Sequence, residues 1–434
     1  MGYAVHRAKS YGIQPFLTHS SNRQGAGDIT RRGSSGKQNR SCYSTTAGSG
    51  LKQERKHRLR SGYTTGACAA AAAKAAMICI LSDMAPDSVE IPFPNGSRHR
   101  FMIKRAAISR EGIEAYASVI KDAGDDPDVT NGAEIITTVR ITNSREPDTT
   151  SYGPASASLP EITFCAGQGV GTVTRPGLAV PPGEPAINPG PRKMIREAII
   201  EAMQQDDTGR GMTSPYPIQS IEVTVSIPNG KELASKTLNR RLGIVGGLSI
   251  LGSTGIVRPV SARAWTDTID VSLRVAREAG CQEVILSTGR TSERVVQERL
   301  KLPEPAMIMM GDYIEHTLKS AGKTGFSRLH LAMMWAKMVK AAMKIPQTHV
   351  RHGAIDIENT LKLLEKAGMD RQMRRELENA NTARHILEIL QTHGRSDIIR
   401  RVCEMAWEYA VMVSGIPVTI YLVHSNRGII ETVE

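Results

Sequence analysis

Beyond Leu59 the chain settles into short branched-aliphatic runs separated by polar and glycine-rich stretches. Thr64-Thr65-Gly66 offers helix-capping residues, and the alanine-rich run that follows predicts a helix to about Leu81. Ser88 to Phe93 reads as a strand, Pro94-Asn95-Gly96 as a turn, and Phe101 to Lys104 as the returning strand. Gly112 to Lys121, Glu134 to Asn143 and Glu161 to Cys165 carry further strand patterns, with a Pro/Ser/Thr loop from Glu146 to Pro160. Arg192 to Gln205 has helical periodicity. Ile218 to Ile227 alternates as a strand and ends in Pro228-Asn229-Gly230, an echo of Pro94-Asn95-Gly96 that suggests a reused edge turn.

After Trp265 the rhythm changes. Helical patterns at Asp267 to Ala279, after Arg290, at Asp312 to Ala321 and up to Lys344 alternate with strands at Glu283 to Ser287, Ala306 to Met310 and Ser327 to Ala332. Such alternation predicts a parallel sheet with helical cover. The stretch to about Ser414 is mostly helical, and Pro417 to Val423 predicts a last strand. The expected fold class is therefore α+β followed by α/β, in two domains: 59–264 and 265–434, after an extension over residues 1–58.

Composition changes the picture mainly at the N-terminus. The net charge is +12, but residues 1–60 carry twelve Lys/Arg against only Asp28 and Glu54, so ten of those charges fall in the first sixty residues, nearly all in the extension. Its Ser, Gly, Arg and Asn content gives too little apolar surface to offset ordering entropy, which predicts disorder. No aromatic-studded basic module accompanies it, so a nucleic-acid partner is not expected. The six cysteines (Cys42, Cys68, Cys79, Cys165, Cys281 and Cys403) are scattered without a CxxC, which favours reduced thiols in the cytoplasm over a zinc site or disulfide framework. No apolar run reaches the roughly 20 residues that span a bilayer, and Lys74 interrupts the longest, Ala67 to Leu81.

Four segments carry candidate chemistry. VIKDAGDDPDVTNGA, from Val119, packs Asp122, Asp125, Asp126 and Asp128 between Lys121 and the polar pair Thr130 and Asn131. Carboxylates so close repel one another unless cations or donors compensate, although a solvated acidic turn is the ordinary explanation. CAGQGVGTVTRPG, from Cys165, brings Gly167, Gly169 and Gly171 after a strand. That pattern suits either close backbone approach to a ligand or a glycine bulge; a dinucleotide-binding oxidoreductase is excluded if a strand follows Gly171. PPGEPAINPGPRKMI, from Pro181, presents Glu184, Asn188 and Arg192 on a proline-stiffened frame, or is simply a connector. TLNRRLGIVGGLSILGSTGIVRP, from Thr237, offers Arg240, Arg241, Ser253, Thr254 and Arg258 to an anion. Gly322-Lys323-Thr324 lacks the earlier glycine and preceding strand of a phosphate loop, and His349 with His352 lacks a third zinc ligand.

Together with RSGYTTGACAAAAAKAA from Arg60, these blocks closely resemble the cobalt-precorrin-5B (C1)-methyltransferases of anaerobic cobalamin biosynthesis, in family order across most of residues 60–260. The resemblance implies methyl transfer from S-adenosylmethionine to ring carbon 1 of cobalt-precorrin-5B, giving cobalt-precorrin-6A. It further implies an α+β domain of the type shared with small ribosomal proteins and GHMP-type kinases, then a methyltransferase-like α/β domain. Arg175, Arg192, Arg240, Arg241 and Arg258 are then candidates for the carboxylate fringe of the macrocycle. Asp122 or Asp125 would remove a proton or stabilise the sulfonium. Ser287, Thr288, Gly289, Gly311 and Asp312 are expected beside the cofactor, at the carboxyl ends of parallel strands. Cobalt travels with the substrate, so no protein metal site is required, and homo-oligomerisation is left open. The chain departs from the family in its basic extension and at Met333-Met334-Trp335-Ala336-Lys337, where a Gly-His pair usually precedes the lysine-bearing helix.

Overall fold

Residues 59–143, 159–204, 218–259, 261–348 and 356–434 are described by a computed structural model. The basic extension, the Glu146 to Pro160 loop up to residue 158, and His349 with His352 lie outside them. The helix Thr65–Ser82 begins where Thr64 Oγ1 accepts the Ala67 N–H (3.1 Å). By length and composition alone it is apolar enough to cross a bilayer, yet 78% of it is buried inside the fold. Its small alanine side chains let it pack closely on both the sheet and the helix Pro189–Gln204. Lys74 within it is only 3% exposed, and its ammonium is satisfied by the Glu90 carbonyl (2.9 Å) and the Glu201 carboxylate (3.1 Å).

These helices cover one face of a five-stranded sheet, ordered Arg105–Ile108, Glu114–Ile120, Glu134–Asn143, Ile218–Ser226, Glu161–Ala166. All neighbours are antiparallel except the last pair, which is parallel and joined in sequence through the helix Pro189–Gln204. Alternation in Ile218–Ser226 turns Ile221, Val223 and Val225 into the core and Glu222 outward. The returning strand after Pro94-Asn95-Gly96 is Arg98–Met102, pairing with Ser88–Pro92. Its echo behaves differently: Pro228-Asn229 leads into the short helix Gly230–Ala234 instead of a hairpin.

The second five-stranded sheet runs Met307–Met309, Glu283–Ser287, Arg328–Met334, Val418–His424, Gly428–Val433. The first four are parallel, as the alternation predicts, and the last is an antiparallel edge that the pattern misses. Apolar clusters cover both faces of this sheet, the usual condition of parallel strands. The helix Ala262–Glu278, capped by Ser261, contains Ala264, so the change of rhythm falls inside an element. Gly322-Lys323-Thr324 ends the helix Ile314–Thr324, where no phosphate loop can form. Arg58–Glu434 forms one compact unit.

Candidate active site

Three of the sequence blocks are joined through their backbones. Gly62–Tyr63 pairs antiparallel with Ile256–Val257, and Ser61 bridges to Gly124. The Tyr63 N–H donates to the Asp122 carbonyl (2.7 Å), Thr64 N–H to Gly255 (3.0 Å) and Gly66 N–H to Leu251 (3.1 Å). Gly62 must be glycine here, because a Cβ would lie 2.1 Å from the Ala123 carbonyl carbon. The loop Leu251–Arg258 thus meets both the acidic loop and the start of the helix Thr65–Ser82, while Ser253 packs on Gly190 of the proline block.

Within the acidic loop the carboxylates have separate tasks. Asp122 is held by the Arg60 guanidinium in a two-point contact (2.5 and 2.9 Å) and accepts the Gly124 N–H (2.9 Å). The Arg60 hydrogen bonds, followed by the one from Gly124, hold its carboxyl below the usual range. Asp125 accepts the Arg60 N–H at 2.6 Å. Asp128 faces the buried Lys121 ammonium, and Thr130 links the two by accepting from Lys121 (2.8 Å) and donating to Asp128 (2.6 Å). Burial pushes Asp128 upward, but the Lys121 charge and these hydrogen bonds outweigh it, leaving the carboxyl below its ordinary value. Asn131 accepts the Ala123 N–H (2.9 Å) and shapes the loop, and Asp126 lies partly exposed on it. Cys68, one turn into the adjacent helix, is pushed up to about 12 by burial and stays a thiol.

The glycine block is filled by protein. A Cβ at Gly169 would fall 2.0 Å from the Ile227 carbonyl oxygen, and Gly230 and Gly247 press against the Gly169 carbonyl. Thr172–Val173 follows as a strand paired with Ile244–Val245, which removes the dinucleotide-binding reading. Several side chains expected to meet substrate are likewise turned inward. Arg192 donates to the Ile187 carbonyl (2.8 Å) and the Pro185 carbonyl (3.2 Å), and pairs with Glu184 (2.7 Å). Arg175 donates to the Arg241 carbonyl (3.2 Å). Arg241 grips Glu293 with two bonds (2.9 and 2.6 Å), and Glu293 also accepts from Ser287 (3.2 Å). Asn188 donates its N–H to Ile250 and accepts that of Arg192, framing the helix start. Arg240 remains exposed with Glu304 at 3.7 Å, and Arg258, Ser253 and Thr254 lie on the surface. Thr254 Oγ1 accepts the Ile256 N–H in a local turn (3.3 Å).

In the second sheet, Glu283–Ser287 is followed by a neighbour on one side and Arg328–Met334 by a neighbour on the other. The crevice beyond the carboxyl ends of those two strands is the topological switch point, where open parallel sheets bind ligands. Thr288 and Gly289 lie there and lead into the helix Arg290–Leu300; around Gly289 nothing approaches within 4 Å of a would-be Cβ. Ser287, at the end of its strand, is fully buried, and its hydroxyl donates to Glu293 (3.2 Å). A Cβ added at Gly311 would meet the edge of Trp265 at 3.7 Å; Trp265 is 44% exposed and stacks on Tyr313 (6.4 Å, 25°). Asp312 binds the Lys337 ammonium and accepts from Thr348 Oγ1 (3.0 Å). Trp335 is buried with its indole N–H lacking an acceptor among the described residues. Sequence reasoning missed Arg60, Trp265, Tyr313 and Lys337. The rarity of tryptophan in an aromatic-poor chain is the sequence signal that could have found Trp265.

Comparison with known proteins follows the same blocks. A family model described as CbiD matches residues 52–259, and one described as the CbiD C-terminal domain matches residues 347–434. A protein named cobalt-precorrin-5B C(1)-methyltransferase from Desulfotalea psychrophila is 50% identical over 376 residues, covering 87% of this chain and 98% of its own. One of the same name from Geobacter sulfurreducens is 45% identical, covering 82% and 93%. Another from Geobacillus kaustophilus is 38% identical, covering 86% and 95%. A crystal structure of the cobalamin biosynthesis protein cbiD from Archaeoglobus fulgidus is similar at 23% identity and a TM-score of 0.33, covering 77% of this chain and 85% of that one.

Proposed function

The chain belongs to the CbiD family, and we infer from this that it methylates carbon 1 of cobalt-precorrin-5B in cobalamin biosynthesis, with S-adenosylmethionine as the donor. It is an enzyme, and its substrate is a corrinoid small molecule. When bound, S-adenosylmethionine supplies an electrophilic methyl group: the sulfur–methyl bond breaks as the bond to ring carbon 1 forms, leaving a neutral thioether.

The chain's own residues divide that task. Residues 59–264 hold the flat macrocycle. The exposed Arg240 and Arg258 face its carboxylate fringe, whereas Arg175, Arg192 and Arg241 fix the loops that present them. Asp122, kept ionised by Arg60, is suited to stabilise a nearby positive charge and is a weak base; Asp125 beside it is the better placed to take a proton. Residues 265–434 hold the donor at the switch point, through Thr288, Gly289, Gly311 and Asp312. The Trp265–Tyr313 stack gives a flat apolar wall suited to a purine. Positioning then supplies much of the acceleration, since the reaction needs only an electron-rich carbon held in line with the methyl group.

The observation that carries this reading is the backbone union of the Arg60, Asp122 and Leu251–Arg258 segments into one surface. The test is incubation of the full chain with S-adenosylmethionine and cobalt-precorrin-5B, followed by mass spectrometry. One added methyl group on the corrinoid is expected. No gain, under conditions in which the Desulfotalea psychrophila relative gives one, overturns the assignment.

A further inference from the structure

An open cleft of about 220 Å³ lies beside the start of the helix Pro189–Gln204, bounded by Pro181, Glu184, Pro189, Arg192 and Arg196. Two guanidinium groups share one aromatic ring at its edge: the Arg192 and Arg196 carbons lie 5.4 and 4.9 Å from the centre of Phe164. Like charges four residues apart on a helix repel. Arg192 has its charge balanced by Glu184 at 2.7 Å, but Arg196 has no acidic partner among the described residues. The cleft therefore carries surplus positive charge. Phe164 holds the Arg196 plane by cation–π contact and leaves the fork of N–H donors free for a planar anion. The space is ample for a carboxylate on its methylene arm with several waters, each needing about 30 Å³. Pro181 and Pro189 stiffen the rim.

We propose that this cleft is a carboxylate subsite in which Arg196, stacked on Phe164, grips one peripheral acetate or propionate group of the corrinoid. Arg192 holds the rim in place and Arg196 makes the contact. The proposal rests on the corrinoid reading of the substrate and adds to it a residue and an address.

The test uses the full-length protein, R196Q and R196K, with melting temperatures recorded for each. Cobalt-precorrin-5B binding is followed by its visible absorbance, and methyl transfer is measured separately. R196Q is expected to raise the corrinoid Kd and KM roughly tenfold, the scale of one charge-assisted hydrogen bond. The KM for S-adenosylmethionine should stay within about twofold, and R196K should recover part of the loss. A corrinoid Kd unchanged in R196Q overturns the subsite, as does an equal loss for both substrates. If the wild type binds corrinoid without methylating it and R196Q weakens that binding, the reaction fails while the subsite stands. If the wild type binds no corrinoid, both fall.

Discussion

Lys121 is 1% exposed, and its ammonium lies against Asp128 and the Thr130 hydroxyl. A buried cation of this kind persists only because its partners replace water, so removing one partner costs more than the pair contributes. Asp128→Asn is expected to lower stability at pH 7 by about 3 kcal/mol, the low end for such pairs because Asp128 is partly exposed. The sign of the pH dependence follows from the carboxyl. Its folded value lies below the ordinary 3.8, so its contribution is fully present above about pH 4 and is lost as pH falls through the lower folded value. Urea melts of wild type and variant should converge as the pH is taken progressively below 3.8. A gap that stays constant from pH 7 downward would show that the charge of Asp128 is not what stabilises the loop. The four clustered aspartates were visible in the sequence. That Asp122 and Asp125 belong with Arg60 while Asp128 belongs with Lys121 was not, because Arg60 is some 60 positions away and reaches the loop only through the pairing of its segment.

At the scale of elements, local pattern carried most of the assignment. The helix Thr65–Ser82 and the strands Glu134–Asn143 and Glu283–Ser287 lie where capping residues and periodicity place them. The terminal strand Gly428–Val433 escaped because an edge strand, half exposed, has no strict alternation. Glycines were the ambiguous case. Gly167, Gly169 and Gly171 suited a ligand loop or a glycine bulge equally, and around Gly169 the close neighbour is the protein's own backbone, a crossing neither reading named. Gly169→Ala tests this. The residue combines a φ of +74° with backbone atoms where a Cβ would be, so the substitution should cost well over 2 kcal/mol in thermal unfolding. Gly96→Ala, at φ +82° with open space around it, should cost only about 1 kcal/mol. Equal losses would mean that backbone conformation alone, not the crossing, requires glycine at 169.

At the scale of the whole molecule, a small polar joint ties the loop carrying Arg241 to the second sheet and its helix: Arg241 donates two hydrogen bonds to buried Glu293, and Ser287 donates a third. Arg241→Met strands a buried carboxylate and is expected to destabilise by about 3 kcal/mol, whereas the double variant R241M/E293L should recover most of that loss. Denaturant melts of the four-member cycle decide it; additive losses would mean the two side chains act independently. That joint also shows where sequence reading stops. Element types, the change from mixed to parallel strands near Ala264 and the family blocks are all written in local order, because period, capping and glycine or proline chemistry act within a few residues. Which arginines face outward is not local. Arg241 and Arg192 look in sequence like Arg258 and Arg196, and only the folded neighbours, Glu293 and Glu184 among them, decide which guanidinium is already satisfied. The same holds for the crevice at the switch point of the second sheet, which no motif marks. It exists because Glu283–Ser287 and Arg328–Met334, 41 residues apart, end side by side in one sheet.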